Sequence, residues 1–290
     1  MVLRARLTFF ALLASACASP PSPGGAGPAT SATEVSTAPH PTAAPTGRAT
    51  AAAAPSALPS AAASNTAAPQ PPAVPFAVEV PGDVSVDVAF GPPDVGRAIL
   101  YMHGHCGNPI AFTPWAEAAT RHGTLISLRG DTKCKGRSGR RKWSYDYRGI
   151  DRRIRAAIAA VDDKRWDFFD SVKVTPLDPE DVVLIGYSQG AKRVEFMTHH
   201  FPDRYRRVVS IAVADEPSPY RLKPAERVLL MGGAWDARKH IKEGFDALKR
   251  LQKRVGAGKA RYMEFPEARH GEYGPEANEV MSEALEWLLK

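Results

Sequence analysis

Apolar positions along residues 76–290 fall into two rhythms. Phe76–Val80 and Val84–Val88 alternate apolar and polar residues around Pro81-Gly82-Asp83, which predicts two antiparallel strands joined by a turn. Short apolar runs follow at 97–102, 124–129, 181–186, 207–213, 227–231 and 260–265, lengths that suit buried strands. Between them lie stretches of helical spacing. These are 109–122, with Phe112, Trp115 and Ala119 inward; 147–170, with Ile150, Ile154, Ile158 and Val161 on one stripe; 189–200, with Val194 and Met197 on one face; then 240–254 and 276–289. Strands alternating with helices imply an α/β class domain. Its mostly parallel central sheet carries helices on both faces, and the first strand pair is an edge elaboration.

Residues 18–75 have no such rhythm. They are rich in Pro, Ala, Ser and Thr, cannot bury enough apolar surface to fold, and read as a disordered, semi-extended tether. Ahead of them, residues 1–17 read as a signal peptide: Arg4 and Arg6, the apolar run Leu7–Leu13, then Ala14-Ser15-Ala16-Cys17. The apolar run is too short to span a membrane. Two processing routes are open. Ala14-Ser15-Ala16 is an A-x-A cleavage site for ordinary secretion, and the same segment resembles a bacterial lipobox, which implies lipidation of Cys17 and anchoring to the cell envelope. Either route makes the protein an exported one.

The formal net charge is +7, of which Arg4, Arg6, Arg48 and Glu34 supply +2 and residues 76–290 the remaining +5. That charge reads as spread along the chain, with no basic run interleaved by aromatics, which argues against a nucleic-acid partner. The densest basic cluster is Lys133, Lys135, Arg137, Arg140, Arg141 and Lys142. It is either a solvated face or a clamp for an anionic substrate.

One run carries chemistry. Val182–Ile185 is apolar, two of its four residues Val and one Ile, Gly186-Tyr187-Ser188-Gln189-Gly190 is a G-x-S-x-G pentapeptide, and helical spacing follows. Strand, serine turn and helix in that order are the setting of a nucleophile elbow. The turn needs small neighbours, because a Cβ at Gly186 or Gly190 would collide with the adjoining strand or helix. The pentapeptide by itself is weak: at residue frequencies of roughly 7%, chance supplies it in about one chain in ten of this length.

The order of elements from about Phe76 onward, with Ser188 after the fifth strand, resembles the α/β-hydrolase superfamily. The nearest likeness is to its small lidless esterases of the dienelactone-hydrolase and carboxylesterase/phospholipase type. The connection 214–225 is too short for a cap domain. The resemblance implies the order nucleophile, acid, base. Asp236, in Gly233-x-x-Asp236 after a strand, matches the acid, with Asp215 as rival and helix capping as its ordinary alternative. His270, in the loop after the last strand, matches the base better than His240, which lies on a helix just past Asp236. The backbone N–H groups of Gln189 and of His105, in the His103-Gly104-His105 loop, match the oxyanion donors, leaving His103 a structural part. Cys106 and Cys134 fall on loops at the same sheet edge. Export would permit a disulfide between them, the alternative being two buried thiols. Trp143, Tyr145 and Tyr147 are candidates to line the site.

These features predict an exported serine hydrolase that cleaves carboxylic esters through an acyl-enzyme. The rival readings are a serine peptidase with the same triad and a non-catalytic, envelope-tethered binding module. No cofactor and no metal are implied; the adjacent pair His199-His200 on a helix does not face one ion easily. The expected partners are an ester substrate, small or borne on a lipid or polymer, and a membrane reached through Cys17. A monomer is expected.

Overall fold

In the computed structural model of the chain, residues 73–170, 172–213, 215–236 and 240–290 are described. The proposed signal peptide, Cys17 and nearly all of the proposed tether lie outside them. The strands are β1 (Phe76–Val78), β2 (Val86–Ala89), β3 (Arg97–Met102), β4 (Thr124–Leu128), β5 (Thr132–Lys133), β6 (Arg141–Lys142), β7 (Asp178–Tyr187), β8 (Arg207–Ile211), β9 (Arg227–Gly233) and β10 (Ala260–Phe265). The helices are α1 (Ala116–Thr120), α2 (Tyr147–Phe168), α3 (Gln189–His200), α4 (Pro219–Leu222), α5 (His240–Val255) and α6 (Ala277–Leu289).

Eight strands form one sheet in the order β1-β2-β4-β3-β7-β8-β9-β10. Only the pairings of β2, with β1 and with β4, are antiparallel. This order, with the sheet parallel from β4 to β10, is the α/β-hydrolase fold. The connection from β8 to β9 holds only the one-turn α4 among the described residues, so no large cap covers the sheet edge.

Side chains alternate across the sheet, as strand geometry requires. Leu100, Leu184, Val208 and Leu230 pack on one face with Ile154 of α2, Met197 of α3 and Leu251 of α5. Ile99, Ile185, Val209 and Leu229 pack on the other with Trp115 and with Leu285 of α6. Both layers exclude water, which is why the strands read as continuous apolar runs rather than alternating ones.

Three segments depart from expectation. The helix expected over 109–122 is reduced to a 3₁₀ turn, Thr113–Trp115, and the short α1. Pro109 and Pro114 cannot donate the N–H bonds of a helix interior, yet Phe112, Trp115 and Ala119 are buried as the spacing requires. The stretch 130–142 is not a bare loop but contains the β5–β6 hairpin, with Thr132 opposite Lys142 and Lys133 opposite Arg141. The helix α4 is too short for periodicity to reveal.

Arg165, near the end of α2, is fully buried. Its guanidinium donates to the carbonyls of Thr175 at 2.9 Å, Pro92 at 3.1 Å and Val95 at 3.1 Å, and it faces Asp162 at 3.5 Å. It thereby ties together loop carbonyls from two separate segments, 92–95 and 175. Arg165→Met removes the donor to the Thr175 and Val95 carbonyls and the cation facing Asp162, whose Oδ1 keeps the Leu177 N–H. It is expected to lower unfolding stability by about 3 kcal/mol, read as a shift of the urea midpoint.

Candidate active site

Ser188 sits between β7 and α3 with φ 50° and ψ −111°. A non-glycine residue in this region costs about 1–3 kcal/mol, and the surroundings must hold it there. Its N–H donates to the Ile211 carbonyl at 2.8 Å. The flanking glycines are required by space rather than by their own dihedrals. A Cβ on Gly190 would lie 2.0 Å from the Met102 carbonyl oxygen, and one on Gly186 would lie 2.5 Å from the Gly190 carbonyl.

The loops after β9 and β10 are laced together. Ala234 N–H donates to Phe265 O at 3.0 Å, and Trp235 N–H donates to Ala268 O at 2.9 Å. A Cβ on Gly233 would meet that same Ala268 oxygen at 2.3 Å, so the close approach depends on glycine. The lacing buries Asp236 and sets its Oδ2 2.8 Å from Nδ1 of His270. His270 remains partly exposed, and its ring lies 5.5 Å from that of Tyr187. The Gly271 N–H donates to the Tyr187 hydroxyl, tying the histidine loop to the residue before Ser188.

Ser188 and His270 line one cavity of about 380 Å³, together with Gly104, His105, Gly107, Asn108 and the rings of Tyr101, Tyr187 and Tyr273. Of the two acids, Asp236 is the one beside His270. Asp215 is exposed, 3.9 Å from the Lys192 ammonium, and borders a separate recess of about 30 Å³ that includes neither Ser188 nor His270. The His240 side chain lies outside the described residues. Gln189 opens α3, so its N–H falls in the first turn, where no intrahelical acceptor exists.

The floor of the cavity was not legible in advance. Tyr101 and Tyr273 exchange a hydroxyl hydrogen bond at 3.0 Å. Burial pushes both phenols above their ordinary range, which keeps them neutral. The signal was available in the alternation of β3 and β7, which puts Tyr101 and Tyr187 on the same face of the sheet.

The His103-Gly104-His105 loop and the basic hairpin are joined at several points. The Cys106 and Cys134 sulfurs are at bonding distance, 1.96 Å, with their Cα atoms 6.0 Å apart. His103 is buried between the same two segments. The Gly130 N–H donates to its Nε2 at 3.0 Å, so Nε2 must be the unprotonated nitrogen, and Nδ1 donates to the Gly104 carbonyl at 2.7 Å. Burial, followed by nearby guanidinium groups, holds the His103 pKa below its usual value, in keeping with a structural part. The Trp143 indole N–H donates to the His103 carbonyl at 2.8 Å. The Trp143 backbone N–H donates to Gln189 Oε1 at 3.0 Å, and Arg193 Nε donates to the Ser144 carbonyl at 2.8 Å.

These contacts correct the expectation for the three aromatics, none of which lines the cavity. Trp143 is buried as a brace. Tyr145 lies under the Arg193 guanidinium, 4.0 Å from its ring centre. Tyr147 stacks on Phe196 at 4.7 Å and on His200 at 4.9 Å. No group of three or more His, Cys, Asp or Glu side chains among the described residues is arranged to hold a metal.

No family model matches the chain. No curated protein matches it either. Among solved structures it is similar to the Bacillus cereus carboxylesterase, at 18% identity over 70% of this chain and 93% of that one, with a TM-score of 0.44. It is also similar to a Bacillus subtilis carboxylesterase, at 16% identity over 74% and 90%, TM-score 0.49. A third is the Anabaena variabilis dienelactone hydrolase, at 20% identity over 74% and 98%, TM-score 0.45.

Two outcomes follow from the braces. The Cys106–Cys134 pair closes a loop with a sequence separation of 28. The Cys106→Ala/Cys134→Ala protein is expected to unfold with about 3 kcal/mol less stability than the oxidised protein, and a urea midpoint identical to that of the oxidised protein would refute the bond. The second outcome concerns His103. Its folded pKa is depressed, so below about pH 6.5 the unfolded chain binds a proton that the native state resists. Its contribution to stability is therefore complete above that pH and is lost as pH falls. His103→Gln is expected to flatten the fall of the urea midpoint between pH 7 and pH 5.

Proposed function

We propose that the protein is a serine hydrolase that cleaves carboxylic esters. The observation that carries this reading is the cavity holding Ser188 on a strained turn beside His270, whose far nitrogen is engaged by buried Asp236. A serine hydroxyl is a poor nucleophile until a base takes its proton and a carboxylate orients that base. In this reading His270 Nε2 takes the Ser188 proton as Oγ attacks the ester carbonyl, and Asp236 fixes the tautomer and steadies the imidazolium. The backbone N–H groups of Gln189 and His105 receive the oxyanion. Collapse expels the alcohol, which leaves with the proton held by His270. A water molecule, deprotonated by the same histidine, then releases the acid and regenerates Ser188. The chemistry uses neither metal nor organic cofactor.

We further propose that the protein acts outside the cytoplasm as a monomer, attached to the cell envelope through lipidated Cys17 and the tether 18–75. The support is the charge and apolar pattern of residues 1–17 and the composition of the tether. Loss of palmitate labelling in Cys17→Ser is the expected outcome in a bacterial host; persistent labelling would place the lipid elsewhere.

The active-site test is covalent labelling with a fluorophosphonate. Wild-type protein is expected to label and Ser188→Ala to fail, with ester turnover reduced by about 10⁴-fold or more in Ser188→Ala and His270→Ala. Absence of Ser188-dependent labelling would point to the binding module. Faster cleavage of peptide anilides than of p-nitrophenyl esters would point to the peptidase.

A further inference from the structure

The β5–β6 hairpin concentrates the charge of the folded part of the chain. Residues 130–142 contain six cations and one acid, Asp131, a net of +5. That equals the whole excess of residues 76–290, so the rest of that region balances to zero and the apparent spread of basic charge along the chain is misleading. Elsewhere arginines face carboxylates: Arg97, Arg129, Arg153, Arg204, Arg207 and Arg261 each do so. Among the described residues, none of the hairpin cations has such a partner. The one local acid is otherwise engaged, since Asp131 Oδ1 accepts from the Ser144 N–H at 2.7 Å and its Oδ2 from the Ser144 hydroxyl.

The hairpin is also shaped and held. Lys133, Arg137, Arg140 and Arg141 border an open groove of about 580 Å³, too large for a single carboxylate. Its backbone is fixed by Cys134 N–H to Arg140 O at 3.0 Å and Arg140 N–H to Arg137 O at 3.2 Å. Gly136 and Gly139 supply the positive φ, 72° and 71°, that these turns need. The groove adjoins the cavity of Ser188. His105 and Gly107, on either side of Cys106, line the cavity, while Cys134, bonded to Cys106, lines the groove.

We propose that this groove docks an acidic polysaccharide, a polyuronate chain, so that an acyl ester carried on that chain reaches Ser188. The substrate part of this inference rests on the ester-hydrolase reading above. Arg141 donates to the Gly130 and Asp131 carbonyls, and Lys133, Arg137 and Arg140 along the open groove face no carboxylate among the described residues. Such a row of cations suits a ligand with repeated anions, and the planar arginine fork matches carboxylate geometry. Two other polyanions fit less well. Residues 132–142 contain no aliphatic or aromatic side chain to enter a bilayer, and none on which a nucleobase could stack. In the reaction, the acyl group passes from a sugar oxygen to Ser188 Oγ. The sugar hydroxyl leaves with the His270 proton, and water releases the acid.

The test uses the full-chain protein, its Ser188→Ala form, and a Lys135→Glu/Arg137→Glu/Arg140→Glu variant. Polygalacturonate is expected to bind wild type and Ser188→Ala alike, with affinity falling steeply as salt rises. The charge variant is expected to bind at least tenfold more weakly. Its ratio of kcat/KM for O-acetylated polygalacturonate to that for p-nitrophenyl acetate is expected to fall at least tenfold. Equal binding by the charge variant would overturn the proposal. So would equal binding of neutral dextran, or binding of phosphatidylglycerol vesicles or single-stranded DNA in place of polygalacturonate. Salt-sensitive polymer binding without any Ser188-dependent ester cleavage would uphold the docking surface and overturn the hydrolase reading instead.

Discussion

The approach of Gly190 to the end of β3 sets the rest of the site. The helix that follows Ser188 begins so close to the Met102 carbonyl that even a methyl group has no room. That approach brings the first turn of α3 beside the His103-Gly104 loop, the two segments from which the proposed oxyanion donors come. Ser188 crosses between strand and helix in a strained conformation, φ 50° and ψ −111°. Strain of this kind persists only where the surroundings over-determine the backbone. Here they are β3 and β8 on either side of β7, with the Ser188 N–H fixed to Ile211.

Outside that contact lies a polar brace with few redundant members. His103, Trp143, Gln189 and Arg193 join the His103-Gly104-His105 loop, the segment after the basic hairpin, and α3 through hydrogen bonds, those of His103 buried and those of Gln189 and Arg193 part-buried. Such networks rigidify when complete and are costly when one partner is lost, because the remaining groups have no water to turn to. Gln189 has two duties in the proposed chemistry. Its main-chain N–H faces the charge that develops on the substrate, and its side chain holds Trp143. Its substitution would therefore mix a loss of positioning with a loss of rigidity, and His103 is a cleaner probe of the brace.

The inner sheet was legible because β3, β4, β8 and β9 are buried on both faces beyond their first residues, so apolar runs and strand boundaries nearly coincide; 97–102 matches β3 at both ends. The turn at Ser188 was legible for a different reason: the glycines on either side of it are demanded locally by space. The link between Asp236 and His270 was legible only through order along the chain, since its geometry arises from backbone bonds between the loops after β9 and β10. What could not be read are properties made by distant segments meeting. Trp143, Tyr145 and Tyr147 resembled site-lining aromatics, yet Arg193, Phe196 and His200 from α3 claim them. The tyrosine floor needs β3, β7 and the loop before α6 at once.

The same distinction bears on specificity. The cavity is modest and floored by neutral phenols, so in the proposed chemistry it would constrain the acyl side of an ester mainly by shape. The net charge of residues 76–290 comes from the hairpin, because the rest of that region is charge-balanced. A cation in that hairpin acts across water on any anion near the cavity mouth, whereas its backbone reaches the His103-Gly104-His105 loop through Cys106–Cys134 and His103. Charge and scaffold can therefore be separated. Replacing exposed lysine and arginine heads changes the field and leaves the braces in place, while breaking the disulfide loosens the braces and leaves the charges. A substrate chosen by the field responds to the first change and to added salt. A substrate chosen by cavity shape responds to neither, so salt dependence alone distinguishes how the two contribute.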